Sequence, residues 1–398
     1  MSVIRQQAPV EAASHYHVCL VAGARPNFVK IAPIMRALKS VNAGGGVRLV
    51  PHLVHTGQHY DARLSDVFFE DLGIGEPEVN LDVRSGTQAK QTAAVMTAFE
   101  DYCMNSRPDM VVVVGDVNST LACALVAAKM GIPLAHVEAG LRSFDRTMPE
   151  EVNRVVTDRL SDLLFVSEES GVQNLRHEGV DEAKIHFVGN VMIDTLLESV
   201  KRLDRSPAAA PPSLPYGLLT LHRPSNVDDG PTLSRLLALL RELSSELMLI
   251  FPVHPRTAAR LSDLGLKGHL QWVESCDALH DADGLIAVPP LGYMEFLDLM
   301  RRARVVLTDS GGIQEETTAL GIPCITLRDN TERPVTVSLG TNYLVGTDER
   351  KIRAAFAEAL AGGRAGARVP PLWDGKAAER IVDVILREAA ARLGRGAP

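Results

Sequence analysis

Three acids and one histidine stand where side chains could act on a bound molecule. Asp116 lies in Gly115-Asp116-Val117-Asn118-Ser119-Thr120, just after four consecutive valines. Glu138 lies in His136-Val137-Glu138-Ala139-Gly140-Leu141-Arg142, and Glu150 in Met148-Pro149-Glu150-Glu151-Val152-Asn153-Arg154. Each has a plainer reading: Asp116 as a helix N-cap, Glu138 as the ion-pair partner of Arg142, and Glu150 with Glu151 as first-turn carboxylates. Together they place carboxylates after successive apolar runs, on one rim of a sheet. Clustered carboxylates repel, so one or more is held protonated or basic as proton transfer requires. His222, in Leu219-Thr220-Leu221-His222-Arg223-Pro224-Ser225-Asn226, ends another apolar run. Its plainer reading is a hydrogen-bonded loop histidine. His254, in Pro252-Val253-His254-Pro255-Arg256, is placed similarly and ranks below it.

Two further segments have the form of anion sites. Val305-Val306-Leu307-Thr308 runs into Asp309-Ser310-Gly311-Gly312-Ile313-Gln314-Glu315-Glu316, an apolar strand followed by a helix start. Free backbone N–H groups and the helix dipole at Ser310, Gly311 and Gly312 can receive a phosphate. Glu316, one turn in, is placed to accept hydrogen bonds from ribose hydroxyls. An ordinary capped helix would explain Ser310 and the acids but leaves two adjacent glycines without a reason. The second segment is Gly23-Ala24-Arg25-Pro26-Asn27-Phe28-Val29-Lys30, where Pro26 suits a helix start and Arg25 and Lys30 put cations at its mouth. A plain strand–helix turn with solvated charges accounts for it equally well.

The elements that carry these residues alternate. Short β-branched runs at 18–22, 110–114, 133–137, 163–166 and 185–188 read as strands, with helices at 28–39 and 121–130. A Pro- and Ala-rich stretch at 204–216 interrupts the rhythm and reads as a linker. A second series follows, with strands at 218–221, 247–253, 270–273, 305–308, 324–327 and 343–345. This predicts an α/β protein of two Rossmann-like domains with a cleft between them. The boundaries are 1–203, which carries the acids, and 217–375, which binds the nucleotide. A helical tail at 376–398 packs back on the first domain. Ligands of such sheets bind at the carboxyl ends of the strands, where the residues above lie.

Composition narrows the classes. The chain has 398 residues, 46% hydrophobic and 23% charged, with a formal net charge of -8. That size suits two domains, and the charge carries no basic surplus for nucleic acid. Five scattered cysteines form no CxxC pair, and His52, His55, His59 and His280 lack zinc spacing, so no metal is expected. Residues 1–15 have no apolar core of signal-peptide length, and no stretch has the roughly 20 apolar residues of a membrane span. The expectation is a soluble, cytoplasmic protein with no membrane partner.

Set together, these segments resemble the bacterial non-hydrolysing branch of the UDP-N-acetylglucosamine 2-epimerase family. Asp309-Ser310-Gly311-Gly312-Ile313-Gln314-Glu315-Glu316 with Thr331-Glu332-Arg333-Pro334 is a specific pair, and the matching stretches span nearly the whole chain in order. The resemblance implies a GT-B-like fold and interconversion of UDP-GlcNAc and UDP-ManNAc through elimination of UDP. It implies Asp116, Glu138, Glu150 and His222 as catalytic groups, and Ser310, Gly311 and Gly312 as the diphosphate loop. Glu316 matches the ribose ligand, Phe296 the aromatic beside uracil, and Arg25 and Arg333 groups that hold nucleotide or sugar. Lys30 and Arg142 belong to the same substrate-binding set. Gln58 and His59 match an allosteric segment, although Asp61 stands where a second Gln is often found. The family also implies a homodimer, no cofactor, and a place in polysaccharide or glycoconjugate synthesis. Asn27 replaces a common Glu, and Pro224-Ser225-Asn226 replaces an Arg-Glu pair. Those departures resemble a subgroup that includes epimerases of oxidised or diacetamido sugars, such as UDP-2,3-diacetamido-2,3-dideoxyglucuronic acid.

Other readings share these residues. A hydrolysing epimerase would release UDP and N-acetylmannosamine. A GT-B glycosyltransferase would keep the nucleotide loop without needing three acids, and a non-catalytic UDP-sugar sensor would have lost them. All three acids and His222 are present, which favours an enzyme.

Overall fold

The computed structural model describes residues 14–41, 46–57, 72–206, 214–276, 279 and 283–394. Among them, seven strands form a first sheet: β1 (Ser14–Ala22), β2 (Val47–His55), β3 (Val79–Asn80), β4 (Met110–Val114), β5 (Leu134–Ala139), β6 (Leu163–Val166) and β7 (Ile185–Phe187). Their order is β3-β2-β1-β4-β5-β6-β7, parallel at every pairing. A second sheet holds β8 (Tyr216–Thr220), β9 (Met248–Pro252), β10 (Gln271–Trp272), β11 (Leu285–Val288), β12 (Val305–Thr308), β13 (Cys324–Thr326) and β14 (Asn342–Leu344). Its order is β10-β11-β9-β8-β12-β13-β14, again parallel.

Burial explains why the central strands are so apolar. All five residues of β4 and all four of β12 are buried, as expected of parallel strands covered on both faces. β2, which carries Pro51, was not among the predicted strands. Pro51 lies opposite Val18 of β1, while β3 covers only Val54 and His55. One backbone side at Pro51 therefore has no ladder to lose. β3 and β11 were also not predicted.

In each sheet the strand order reverses about a central pair, β1/β4 in the first and β8/β12 in the second. Neighbouring crossovers leave in opposite directions there and open a crevice at the carboxyl ends of the strands. Asp116 follows β4, and His222 and Ser310 follow β8 and β12.

The chain divides into two units, residues 1–167, 171–191 and 376–398, and residues 168–170 and 192–375. The division precedes the Pro-Ala-rich stretch, much of which lies outside the described residues. The cause is the helix Val191–Arg205, whose Ile193, Leu196 and Leu203 join the core of the second unit. The C-terminal helix Ala377–Arg392 belongs to the first unit, where Ile381, Val382 and Ile385 are fully buried with Ile31, Ile34 and Leu38 of the helix Arg25–Ser40. Ile381→Ala should lower the unfolding free energy of the first unit by about 2–5 kcal/mol. Urea unfolding should show that unit's transition moving while the second unit's stays in place.

Candidate active site

β5 does not run regularly to its end. Its pairing with β6 shifts register between Val137 and Ala139, and Glu138 between them has φ +71°. Left-handed backbone at such a residue costs on the order of 1–3 kcal/mol, and a bulge re-aims the side chain it carries. The carboxylate is buried, with Oε2 2.5 Å from Lys30 Nζ. Lys30 reaches it from the helix after β1, so the cation offsets the charge that burial alone would penalise. Gly115, just after β4 at φ +69°, closes the cluster: a Cβ there would lie 3.3 Å from Lys30 Nζ and 3.6 Å from Glu138 Oε2. Asn27 Nδ2 donates to the Val114 carbonyl at 3.0 Å while its Oδ1 accepts the Ala24 amide at 2.9 Å. That ties the β1 turn to the end of β4.

Asp116 is half-buried and pairs with Arg154 at 2.5 Å. Arg154 also pairs with Glu151, which accepts the Ser143 and Phe144 amides at 2.9 Å each. Glu151 therefore anchors the loop entering the helix Pro149–Leu160, and leaves its half-buried neighbour Glu150 at the first turn of that helix. Arg154 joins this helix to Asp116, while Lys30 pairs separately with Glu138. Arg142 is placed differently from its simplest reading. It does not pair with Glu138; its guanidinium lies 2.7 Å from Asp158 and donates twice to Glu178, at 2.7 and 2.8 Å. Arg25 opens its helix as expected. Gln58 and His59 lie outside the described residues.

In the second unit the organising group is Asp309, which is fully buried. Its carboxylate accepts the amides of His222 and Arg223 at 3.0 and 2.9 Å and Asn226 Nδ2 at 3.1 Å, and His222 Nδ1 lies 3.0 Å away. Burial would raise the Asp309 carboxyl, but His222 and these amides outweigh it and hold it below the ordinary value. An ionised Asp309 fixes Nδ1 of His222 as a donor and leaves Nε2 for a ligand. Sequence reading missed this role, since the two residues are far apart in the chain and meet only because β8 and β12 are neighbours.

Ser310 precedes the helix Gly311–Leu320 and makes no side-chain cap, so the first-turn amides are not closed by it. The glycines have packing reasons. A Cβ on Gly311 would lie 2.8 Å from Glu332 Oε1, and one on Gly312 3.2 Å from Met192 Cε. Arg328 faces Glu332 at 3.0 Å, and Arg333 is buried against Glu315 at 2.7 Å. Glu316 is buried, and burial with the adjacent Glu315 carboxylate pushes it up to about 8, against a lowering by the Tyr293 hydroxyl. Tyr293 and half-buried Phe296 share the helix Tyr293–Met300, so the candidate ribose and uracil contacts are neighbours in the fold.

Among the described residues, no group of three or more His, Cys, Asp and Glu side chains could hold a metal ion. No described helix is long and apolar enough to cross a membrane.

The family model for UDP-N-acetylglucosamine 2-epimerase matches residues 46–386. The chain belongs to that family. Its members are isomerases, and the two parallel-sheet α/β domains are GT-B-like. The chain is 41% identical to UDP-N-acetylglucosamine 2-epimerase of Methanocaldococcus jannaschii, covering 92% of this chain and 98% of that protein. The crystal structure of the M. jannaschii UDP-GlcNAc 2-epimerase in complex with UDP-GlcNAc and UDP superposes with a TM-score of 0.80 over 93% of this chain and 99% of that one, at 40% identity. The chain is also 40% identical to UDP-2,3-diacetamido-2,3-dideoxy-D-glucuronate 2-epimerase of Pseudomonas aeruginosa, covering 83% and 88% of the two chains.

The Glu316 carboxyl gives a pH dependence of known sign. The native chain keeps a proton that the unfolded chain releases above about 4.5, so stability falls as pH rises from there to about 8. Glu316→Gln should remove this slope. Thermal melts should show the variant more stable than its parent at pH 8, by about 2–4 °C for each kcal/mol, with the gap closing toward pH 5.

Proposed function

We propose that the protein is a non-hydrolysing 2-epimerase of UDP-N-acetylglucosamine, interconverting it with UDP-N-acetylmannosamine. The observation that carries this reading is Glu138: a buried carboxylate on a bulged, left-handed residue at a strand end, beside Lys30 and against the glycine preceding Asp116. A fold retains such a conformation where a carboxylate must be aimed.

The chemistry follows from the substrate. The hydrogen at carbon 2 is weakly acidic, because the acetamide is attached through nitrogen and no carbonyl adjoins the carbon. Departure of UDP from carbon 1 builds positive character that acidifies it. Loss of that proton gives 2-acetamidoglucal and UDP, reprotonation from the other face inverts carbon 2, and UDP adds back. Asp116, Glu138 and Glu150 supply the proton donor and acceptor. The uncapped helix start at Ser310–Gly312, Arg333 and His222 hold the diphosphate as it leaves, Glu316 the ribose and Phe296 the uracil. Electrons are conserved overall, so no redox cofactor is required.

A second reading follows from the Pseudomonas relative, whose identity to this chain is within one percentage point of the archaeal enzyme's. A sugar carrying a second acetamido group at carbon 3 and a carboxylate at carbon 6 would undergo the same inversion.

The test is incubation with UDP-GlcNAc in D₂O followed by proton NMR. UDP-ManNAc deuterated at carbon 2, with UDP still attached, is the expected product. Free UDP with N-acetylmannosamine would make the enzyme hydrolysing. Turnover of the diacetamido glucuronate alone would favour the second reading, and silence with both sugars would overturn the proposal. Glu138→Gln and Asp116→Asn should each lower kcat by roughly 10²–10⁴-fold while UDP affinity, measured by calorimetry, stays near that of the parent.

A further inference from the structure

Behind the acid-bearing turns lies a charged cluster that the mechanism above does not use. His136, Asp158 and Arg142 have side chains 0%, 1% and 2% exposed. His136 Nε2 lies 2.8 Å from the Gly115 carbonyl, and Nδ1 lies 2.6 Å from Asp158 Oδ1. The Gly115 carbonyl and the Asp158 carboxylate both accept, so the His136 ring bridges the two. Asp158 Oδ2 accepts the Gly140 amide at 3.0 Å and pairs with Arg142 at 2.7 Å, and Arg142 passes on to Glu178.

The two backbone groups held here matter by position. Gly115 immediately precedes Asp116, and Gly140 comes two residues after Glu138. Both glycines have left-handed backbone, at φ +69° and +81°, outside regular strand geometry. One carboxylate thus reaches both turns, directly at Gly140 and through the His136 ring at Gly115. A buried ion cluster is a poor way to gain stability, since apolar side chains of similar volume commonly do as well. What it does supply is one geometry for the groups it bonds.

We propose that Asp158 is a positioning residue that, with His136, clamps the Gly115 carbonyl and the Gly140 amide and so holds Asp116 and Glu138 in register. This rests on the reading of those two acids given above. Neither residue touches the substrate, so losing the clamp lowers kcat and leaves KM nearly unchanged.

The experiment compares Asp158→Ala, Asp158→Asn, His136→Gln and His136→Asn by kinetics and by hydrogen exchange of the full chain. Asp158→Ala should lower kcat by roughly 10²-fold, the cost of a displacement of about 1 Å, with KM within about threefold. Asp158→Asn, which can still accept the Gly140 amide and hydrogen-bond His136, should recover most of that loss. His136→Gln places an N–H where Nε2 was and should retain more activity than His136→Asn, which does not reach Gly115. Amide exchange at residues 115–118 and 139–142 should rise in Asp158→Ala and His136→Asn while the second unit is unchanged. Wild-type kcat in Asp158→Ala, a loss confined to KM, or unchanged exchange at both turns would overturn the inference. Should Asp158→Ala not fold, the ranking of the two His136 variants decides, and equal kcat and exchange in that pair overturns it. A parent chain silent on every UDP-sugar sinks the proposed function instead, while the exchange measurement still decides whether the clamp exists.

Discussion

A carboxylate drawn out of water at the end of a parallel strand needs a cation beside it, and Lys30 meets that need for Glu138 at 2.5 Å. Much of the first unit's candidate site depends on this contact. The bulge in β5 turns Glu138 toward the space above β4, and Gly115 leaves that space open. The helix after β1 starts close enough to deliver Lys30, because Asn27 binds its first turn to the end of β4. The cation offsets the cost of taking that charge out of water.

The second unit solves a related problem with an acid at its centre. Asp309 gathers the chain after β8 around itself through two amides, one imidazole nitrogen and one carboxamide. His222 is thereby held in one orientation by Asp309. Nearby, Glu315 and Arg333 pair under cover, and burial with the Glu315 carboxylate pushes Glu316 up to about 8. Each unit thus places its candidate side chains near the ends of its central strands and fixes them with buried partners.

Sequence alone determined a good deal. Apolar, β-branched runs can only be satisfied as buried parallel strands, so β4, β6 and β12 were located to the residue. The α/β class followed, and so did the residues after each strand as the ones to read for chemistry. The spacing of Asp309 to Glu316 and of Thr331 to Pro334 carried the family, because those motifs are local in the chain.

Only the tertiary structure decided the pairings. Lys30 and Glu138 are 108 residues apart, Asp116 and Arg154 are 38, and His222 and Asp309 are 87. The partner of each depends on which strands become neighbours and where a bulge falls. Arg142 shows the consequence: proximity in sequence suggested Glu138, whereas the fold turned it to Asp158 and Glu178. Val191–Arg205 joined the second unit because its apolar face matched that core, a packing outcome that the Pro-Ala composition farther along did not reveal. Local pattern reports which face of an element must be buried; which charge sits opposite which is settled by long-range packing, and a linear sequence carries no direct signal of it.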